Sequence, residues 1–296
     1  MPQVESTNQL RDWLCQACLV EVLSQKPGNV SPGRPLHDTT VEDFVRSARV
    51  SVPILADASQ NGVGRTIYAA VSATRKAVGH NTNLGIILLL TPMAAVPLTV
   101  SLTEGIQTVL AKLTVEDAHT AYQAIRLAEP GGLGRSQTQD VHDSPTETLL
   151  QCMRHAADRD FIARQYTTDF CDVFNVGLDW LIDSAHHVDE QHRVGWVALR
   201  LLAEYGDSLI ARKVGATVSD HVRKRAAEVL AADWPRTSSS ISLYEEFDAW
   251  LRSDGNRLNP GTTADMIAAI LFAGLRTACY VTDGALLKRI ESQEVP

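Results

Sequence analysis

Three polar segments of the 296-residue chain carry the residue types that bind phosphate, sugar and metal. They are Lys26-Pro27-Gly28-Asn29-Val30, His80-Asn81-Thr82-Asn83-Leu84-Gly85 and Asn259-Pro260-Gly261-Thr262-Thr263-Ala264-Asp265. Each joins a glycine, which lets the backbone come close to a ligand, to amide, hydroxyl or charged side chains. The first runs on through Arg34, His37 and Asp38. Lys26 and Arg34 suit phosphate. His37, Asp38 and Asp265 suit a metal or a proton-transfer role. A fourth segment, Gly131-Gly132-Leu133-Gly134-Arg135, leads to Asp140, a further candidate metal ligand. Taken singly, each segment reads better as an interhelix loop or a helix cap.

Other chemistries find no support. There is no Gly-x-Ser-x-Gly, no His-Glu-x-x-His and no cysteine with a paired histidine signature, so covalent catalysis lacks a nucleophile. The glycine cluster at 131–134 matches neither the P-loop nor the dinucleotide fingerprint. Cys15 and Cys18 form a Cys-x-x-Cys spacing inside an amphipathic helical pattern, which reads as two thiols packed on a helix. The five cysteines and the polar N-terminus imply reduced thiols and a cytoplasmic protein. A net charge of −8 argues against a broad nucleic-acid or anionic-membrane surface. The apolar run Leu84 to Val100 is broken by Pro92 and Pro97, and is shorter than the ~20 residues of a membrane span.

The elements that must position these segments are helices. Leu10, Leu14, Cys18 and Val22 recur at i+4 and predict a first helix that Pro27-Gly28 stops. Thr40 with Asp43 predicts a capping box and a helix through Ala56. Helices are expected over 62–78, from Asn83, over 101–112 and over 114–128. Ser144-Pro145-Thr146-Glu147 predicts a strong start for helices running through Asp183. Further helices are expected over 189–205, 219–232, 242–253 and 262–280, with Pro235 to Ser240 as a polar loop. Asp265 then falls in the first turn of its helix. Period-two alternation is scarce. The expectation is an all-α fold, with residues 1–296 forming one domain. Its apolar helices could hide a homodimer face.

In their order along the chain, the segments resemble the triphosphoribosyl-dephospho-CoA synthase family. The resemblance is carried by Lys26-Pro27-Gly28-Asn29-Val30, His37-Asp38 with Asp43-Phe44, Asn81-Thr82-Asn83 with Gly85, Gly131-Gly132-Leu133-Gly134 and Pro260-Gly261-Thr262-Thr263-Ala264-Asp265. It implies an all-helical enzyme that moves the triphosphoribosyl group of ATP to a dephospho-CoA-like acceptor and releases adenine, with Mg2+ on the triphosphate. It implies nucleotide contacts from Lys26, Gly28, Asn29, Arg34, Asn81, Thr82, Asn83, Gly131, Gly132, Asn259, Gly261, Thr262 and Thr263. Asp38, Asp265 and His37 would be catalytic, and Asp38, Asp140 and Asp265 would hold metal. After Gly134 the chain departs from the citrate-lyase-type pattern, which marks a divergent member. The residues alone also admit a magnesium-dependent enzyme acting on another phosphorylated nucleotide or cofactor, and a non-catalytic nucleotide-binding helical protein.

Overall fold

A computed structural model describes residues 2–291. Among them there are helices and turns but no strand, as the scarcity of period-two patterning predicts. The N-terminal half holds α1 (Pro2–Leu23), α2 (Val41–Ala56), α3 (Ala58–Asn61), α4 (Val63–Val78), α5 (Leu84–Ala94), α6 (Leu102–Ala111) and α7 (Val115–Ala128). The middle holds α8 (Leu149–Arg154), α9 (Phe161–Thr167), a π-helical turn (Asp172–Gly177) and α10 (Leu178–His187). Then come α11 (Arg193–Tyr205), α12 (Ser208–Val214), α13 (Ala216–Ala231), α14 (Ser238–Arg252), α15 (Gly261–Arg276) and α16 (Gly284–Glu291).

Two helices that are apolar on every side form the centre, as expected of helices with no solvent face. Every residue of α5 is buried, and so is α15 from Met266 to Leu275. They pack on each other, with α1 along α15 and α2 beside α5. Each fully buried Leu, Ile or Phe here contributes roughly 1.5–3 kcal/mol of burial free energy. None of the helices is long and apolar enough to cross a membrane. Cys15 and Cys18 both lie in α1 and all five thiols are free. Burial pushes the Cys15 thiol up to about 11 and Cys18 higher still.

Several predicted boundaries hold. Thr40 and Asp43 form the reciprocal cap of α2, and Thr114 and Asp117 that of α7. Others move, for identifiable reasons. The helix expected with Ser144 as its cap begins four residues later, where Thr148 and Gln151 cap each other. The Gln139 side chain holds Thr146 outside the helix through bonds of 2.8 and 3.1 Å. The helical run expected through Asp183 is interrupted by Asp160, whose Oδ1 accepts from Ile162 N and Ala163 N and so starts α9. It breaks again at Asp169 and Phe170, both with left-handed backbone. The fully buried Phe170 ring, packed between Tyr166 and Phe174, holds this turn in place. Ser238 to Ser240, expected as loop, form the first turn of α14 under a Thr237 cap. Helix α15 ends at Arg276 instead of Tyr280, because the chain turns back through left-handed Ala278 and Tyr280 N donates to Gly274 O.

Candidate active site

Residues from both ends of the chain line one cavity of about 590 Å³, the size range of small-molecule sites. Of the residues singled out in the sequence, Asn29, Asp38, Asn81, Thr82, Gly131, Asp140, Asn259, Gly261, Thr262 and Asp265 line it. The polar segments that looked like separate caps therefore meet.

Their anchoring explains how. The loop after α1 is fixed by Asp248 of α14, which accepts from Gly28 N at 2.7 Å, Arg34 at 2.7 Å and Arg252 at 2.8 Å. Gly28 adopts φ +70, and a Cβ there would lie 2.7 Å from Leu251 Cβ. Asn29 Nδ2 then reaches Pro260 O at 3.2 Å, tying the loop to the start of α15. Before α5, Asn81 Oδ1 accepts from Leu84 N, and Thr82 meets Ser47 of α2. Asp207 joins two helices: Oδ1 caps α12 at Leu209 N and Ile210 N, while Oδ2 accepts from Thr263 N and Thr263 Oγ1. One buried carboxylate thus fixes Arg212 and Lys213 of α12 relative to Asp265 of α15.

Asp265 stands at the floor as the fifth residue of α15, one residue further in than a start at Thr262 would place it. Its carboxyl has no hydrogen-bond donor among the described residues. Burial raises its pKa well above the carboxylate range, reinforced by the charges of Glu21, Asp207 and Asp160 and opposed by Arg212. The first turn of α5 makes room for it: a Cβ on Gly85 would fall inside the Asp265 carboxyl, with Ile162 Cδ1 2.7 Å away. Both obstacles are short side chains in a packed floor. Gly85→Ala is therefore expected to displace Asp265, costing about 1–3 kcal/mol of stability and most of the turnover. Urea unfolding and a rate assay check this; a Gly85→Ala enzyme with unchanged turnover would refute the tight fit.

The structure takes other predicted residues away from the cavity. Lys26 is fully buried, 3.1 Å from Glu21, and also donates to the Glu21 and Ser24 carbonyls. It neutralises a buried acid and closes the end of α1, so it does not face a phosphate. Arg34 is engaged by Asp248 and Glu245. Gly28, Gly132 and Thr263 are structural neighbours of the cavity and do not line it, and His37 lies outside it. Asn83 is buried against Ser51. Asp140 does line the cavity, but its two oxygens accept from Ser136 N at 2.5 Å and His142 N at 2.8 Å. Those two amides hold its pKa low, and the carboxylate shapes its own loop. No group of three His, Cys, Asp or Glu among the described residues could by itself hold a metal ion.

Sequence reasoning missed Arg75, Arg159, Asp160, Arg212 and Lys213, all of which line the cavity. Arg159 and Asp160 stand in a charged stretch whose composition is that of a solvated helix face. The pair Arg212-Lys213 sits in no motif. Gly131 rests on the Lys213 side chain, where an added Cβ would lie 2.8 Å from Cε, and Gly132 turns at φ +72 over the Arg212 backbone.

The family model of CitG, ATP:dephospho-CoA triphosphoribosyl transferase, matches residues 7–282. The chain belongs to that family. It is a transferase of cofactor biosynthesis, and ATP is the family's triphosphoribosyl donor. No curated protein matches its sequence. A crystal structure from Archaeoglobus fulgidus, assigned as a triphosphoribosyl-dephospho-CoA synthase, is similar in fold, with a TM-score of 0.62 at 21% identity. The match covers 79% of the transferase and 99% of the archaeal chain.

Proposed function

We propose that this cavity binds ATP and a dephospho-CoA acceptor together, with Asp265 as the acid that assists adenine release. The observation that carries the reading is the position of Asp265: a carboxyl without hydrogen-bond donors, at the floor of a cavity whose rim is built from loops 29–38, 81–84, 129–140 and 256–262. Burial, with Glu21, Asp207 and Asp160 nearby, raises its pKa and so favours the protonated form, the state a proton donor needs. In the transfer, the acceptor's hydroxyl oxygen bonds to C1′ of the ATP ribose. The C1′–N9 bond breaks, its electron pair leaves on adenine, and the Asp265 proton goes to the departing base. Asp160 supplies the opposite requirement. Paired with Arg212 and held by two backbone amides, its carboxylate is a fixed negative charge beside Asp265. It suits a cationic sugar centre and can take the hydroxyl proton. Tyr122, Ile125, Val141 and Met153 give the cavity a nonpolar wall against which a base can pack.

Magnesium fits this site as a nucleotide-bound ion. Such ions use one or two protein carboxylates and draw their other ligands from phosphates and water. Asp38 is the residue to hold it: it lines the cavity mouth, and although burial is the largest single influence and raises its pKa, the hydrogen bonds from Asn256 and Thr39, with His80, together outweigh it and leave the pKa lowered. The ion would neutralise triphosphate charge. Asp265, whose burial disfavours the charged form, is the poorer ligand. His37 and Lys26 have no part in this scheme. A cavity assembled from positions 29 to 265 supports one all-helical domain.

Chromatography of a mixture with ATP, dephospho-CoA and magnesium tests the reading. Adenine and a triphosphoribosylated acceptor should appear together. Hydrolysis of ATP to ADP without adenine would overturn it.

A further inference from the structure

Four arginine and lysine side chains line the cavity, and they differ in one respect. Arg75 is paired with Glu129 at 2.7 Å, and Arg212 with Asp160. Lys213 and Arg159 have no carboxylate partner among the described residues. Lys213 donates only to Asn256 O at 2.8 Å. Arg159 donates to His155 O at 2.7 Å and, at a long 3.4 Å, to Ser136 Oγ. A cation that faces a cavity without a counter-charge lowers its energy by taking an anion.

The two unpaired cations serve different parts of the rim. Lys213 follows Arg212 at the end of α12 and bonds to the segment before α15. Arg159 precedes Asp160 at the start of α9 and bonds to the segment after the glycine loop. They flank the Arg212–Asp160 pair, which lies beside Asp265. The reaction brings two polyanions to one carbon atom: the donor's triphosphate and the acceptor's diphosphate. Two uncompensated cations on either side of the carboxylates match that need.

The neighbourhood decides which takes which. Asn256 links Lys213 to Asp38, accepting from Lys213 Nζ at its carbonyl and donating to Asp38 Oδ1 through its side chain, and Asp38 is the carboxylate for magnesium. A triphosphate carrying magnesium therefore belongs on the Lys213 side. Arg159 is linked through Ser136 only to Asp140, whose two oxygens are already taken by backbone amides, and its planar fork suits a smaller dianion bound without metal. We infer that Arg159 anchors the diphosphate of the acceptor, and that Lys213 anchors the triphosphate of ATP.

This assignment rests on the proposed function, and the test separates the two. Calorimetric titration with dephospho-CoA and with magnesium-ATP is done on wild type, Arg159→Gln and Lys213→Gln, alongside the adenine-release assay. Arg159→Gln should weaken dephospho-CoA about tenfold or more, the loss expected for a charge-assisted contact, and leave ATP affinity unchanged. Lys213→Gln should do the reverse. Arg159→Lys, which keeps charge but loses the fork, should recover part of the acceptor affinity. The assignment falls if Arg159→Gln weakens ATP as much as the acceptor, or leaves the acceptor unchanged. A wild type that binds both ligands but releases no adenine overturns the proposed function and leaves the binding result to decide the anion sites.

Discussion

Asp265→Asn should lose about 10²- to 10⁴-fold in adenine release, the contribution of a positioned general acid, and should at the same time be more stable than wild type at neutral pH. The two effects share a cause. Desolvation, with Glu21, Asp207 and Asp160 nearby, raises the Asp265 pKa in the folded protein. In the unfolded chain it titrates near 3.9. The contribution of Asp265 to stability is fully present below that value and is lost as pH rises through the raised folded value, because the unfolded chain gains by ionising. The Asn variant escapes that loss. Its advantage in urea unfolding should therefore vanish near pH 3–4 and grow toward pH 7. Wild-type turnover should fall on the alkaline side as Asp265 gives up its proton, and this limb should be absent from the residual rate of the variant. Full turnover of Asp265→Asn would refute the acid role. An advantage that stayed constant with pH would refute the electrostatic cause.

Lys26→Met should cost about 3–5 kcal/mol of stability, the penalty for leaving a buried acid without its partner. Both side chains of the Glu21–Lys26 pair are almost fully excluded from solvent. Burial drives the Glu21 pKa up and the Lys26 pKa down, and their mutual attraction opposes both shifts. Glu21 Oε2 already lacks a partner, so removal of Lys26 leaves the carboxyl with little compensation. The double variant Glu21→Met/Lys26→Met removes both charges and should return most of the lost stability. Chemical denaturation of the three proteins checks this. The affinity of folded Lys26→Met for ATP should be unchanged. A large loss of ATP affinity with stability intact would mean that Lys26 reaches the nucleotide.

Lys26 shows where sequence reasoning stops. A lysine beside Pro-Gly-Asn has the composition of a phosphate loop, and spacing does not reveal that Glu21, five residues earlier, turns it inward. Arg34 fails in the same way: its partners Asp248 and Glu245 are more than 200 positions away in sequence. What local physics dictates was legible. The i+4 pattern of α1, the Thr40–Asp43 and Thr114–Asp117 caps and the unbroken apolar character of α5 follow from short-range chemistry. The meeting of the Asn81, Gly131 and Asn259 segments was legible only through the family resemblance that their order along the chain carries. Asp160 gave no signal because a helix cap and a solvated acid have the same composition, and only the Arg212 side chain facing it tells them apart. The Ser144 helix start failed because Gln139 holds Thr146 by a tertiary contact that no capping rule contains.

The cavity draws its walls from residue 29 at one end and residue 265 at the other. With the nucleotide in this cavity, as proposed, synthesis must reach α15 before it can be held, and no product of a single proteolytic cut inside that interval can retain a complete site if its two pieces separate. Substrate bound there would act as a clasp on the whole molecule. When it binds, amide exchange should slow together in α1 and α15, and the gain should equal the gain in global unfolding free energy. Substrate occupancy is in this sense a proofreading signal for complete folding: only a chain that has brought its first and last thirds together can be protected by its own substrate.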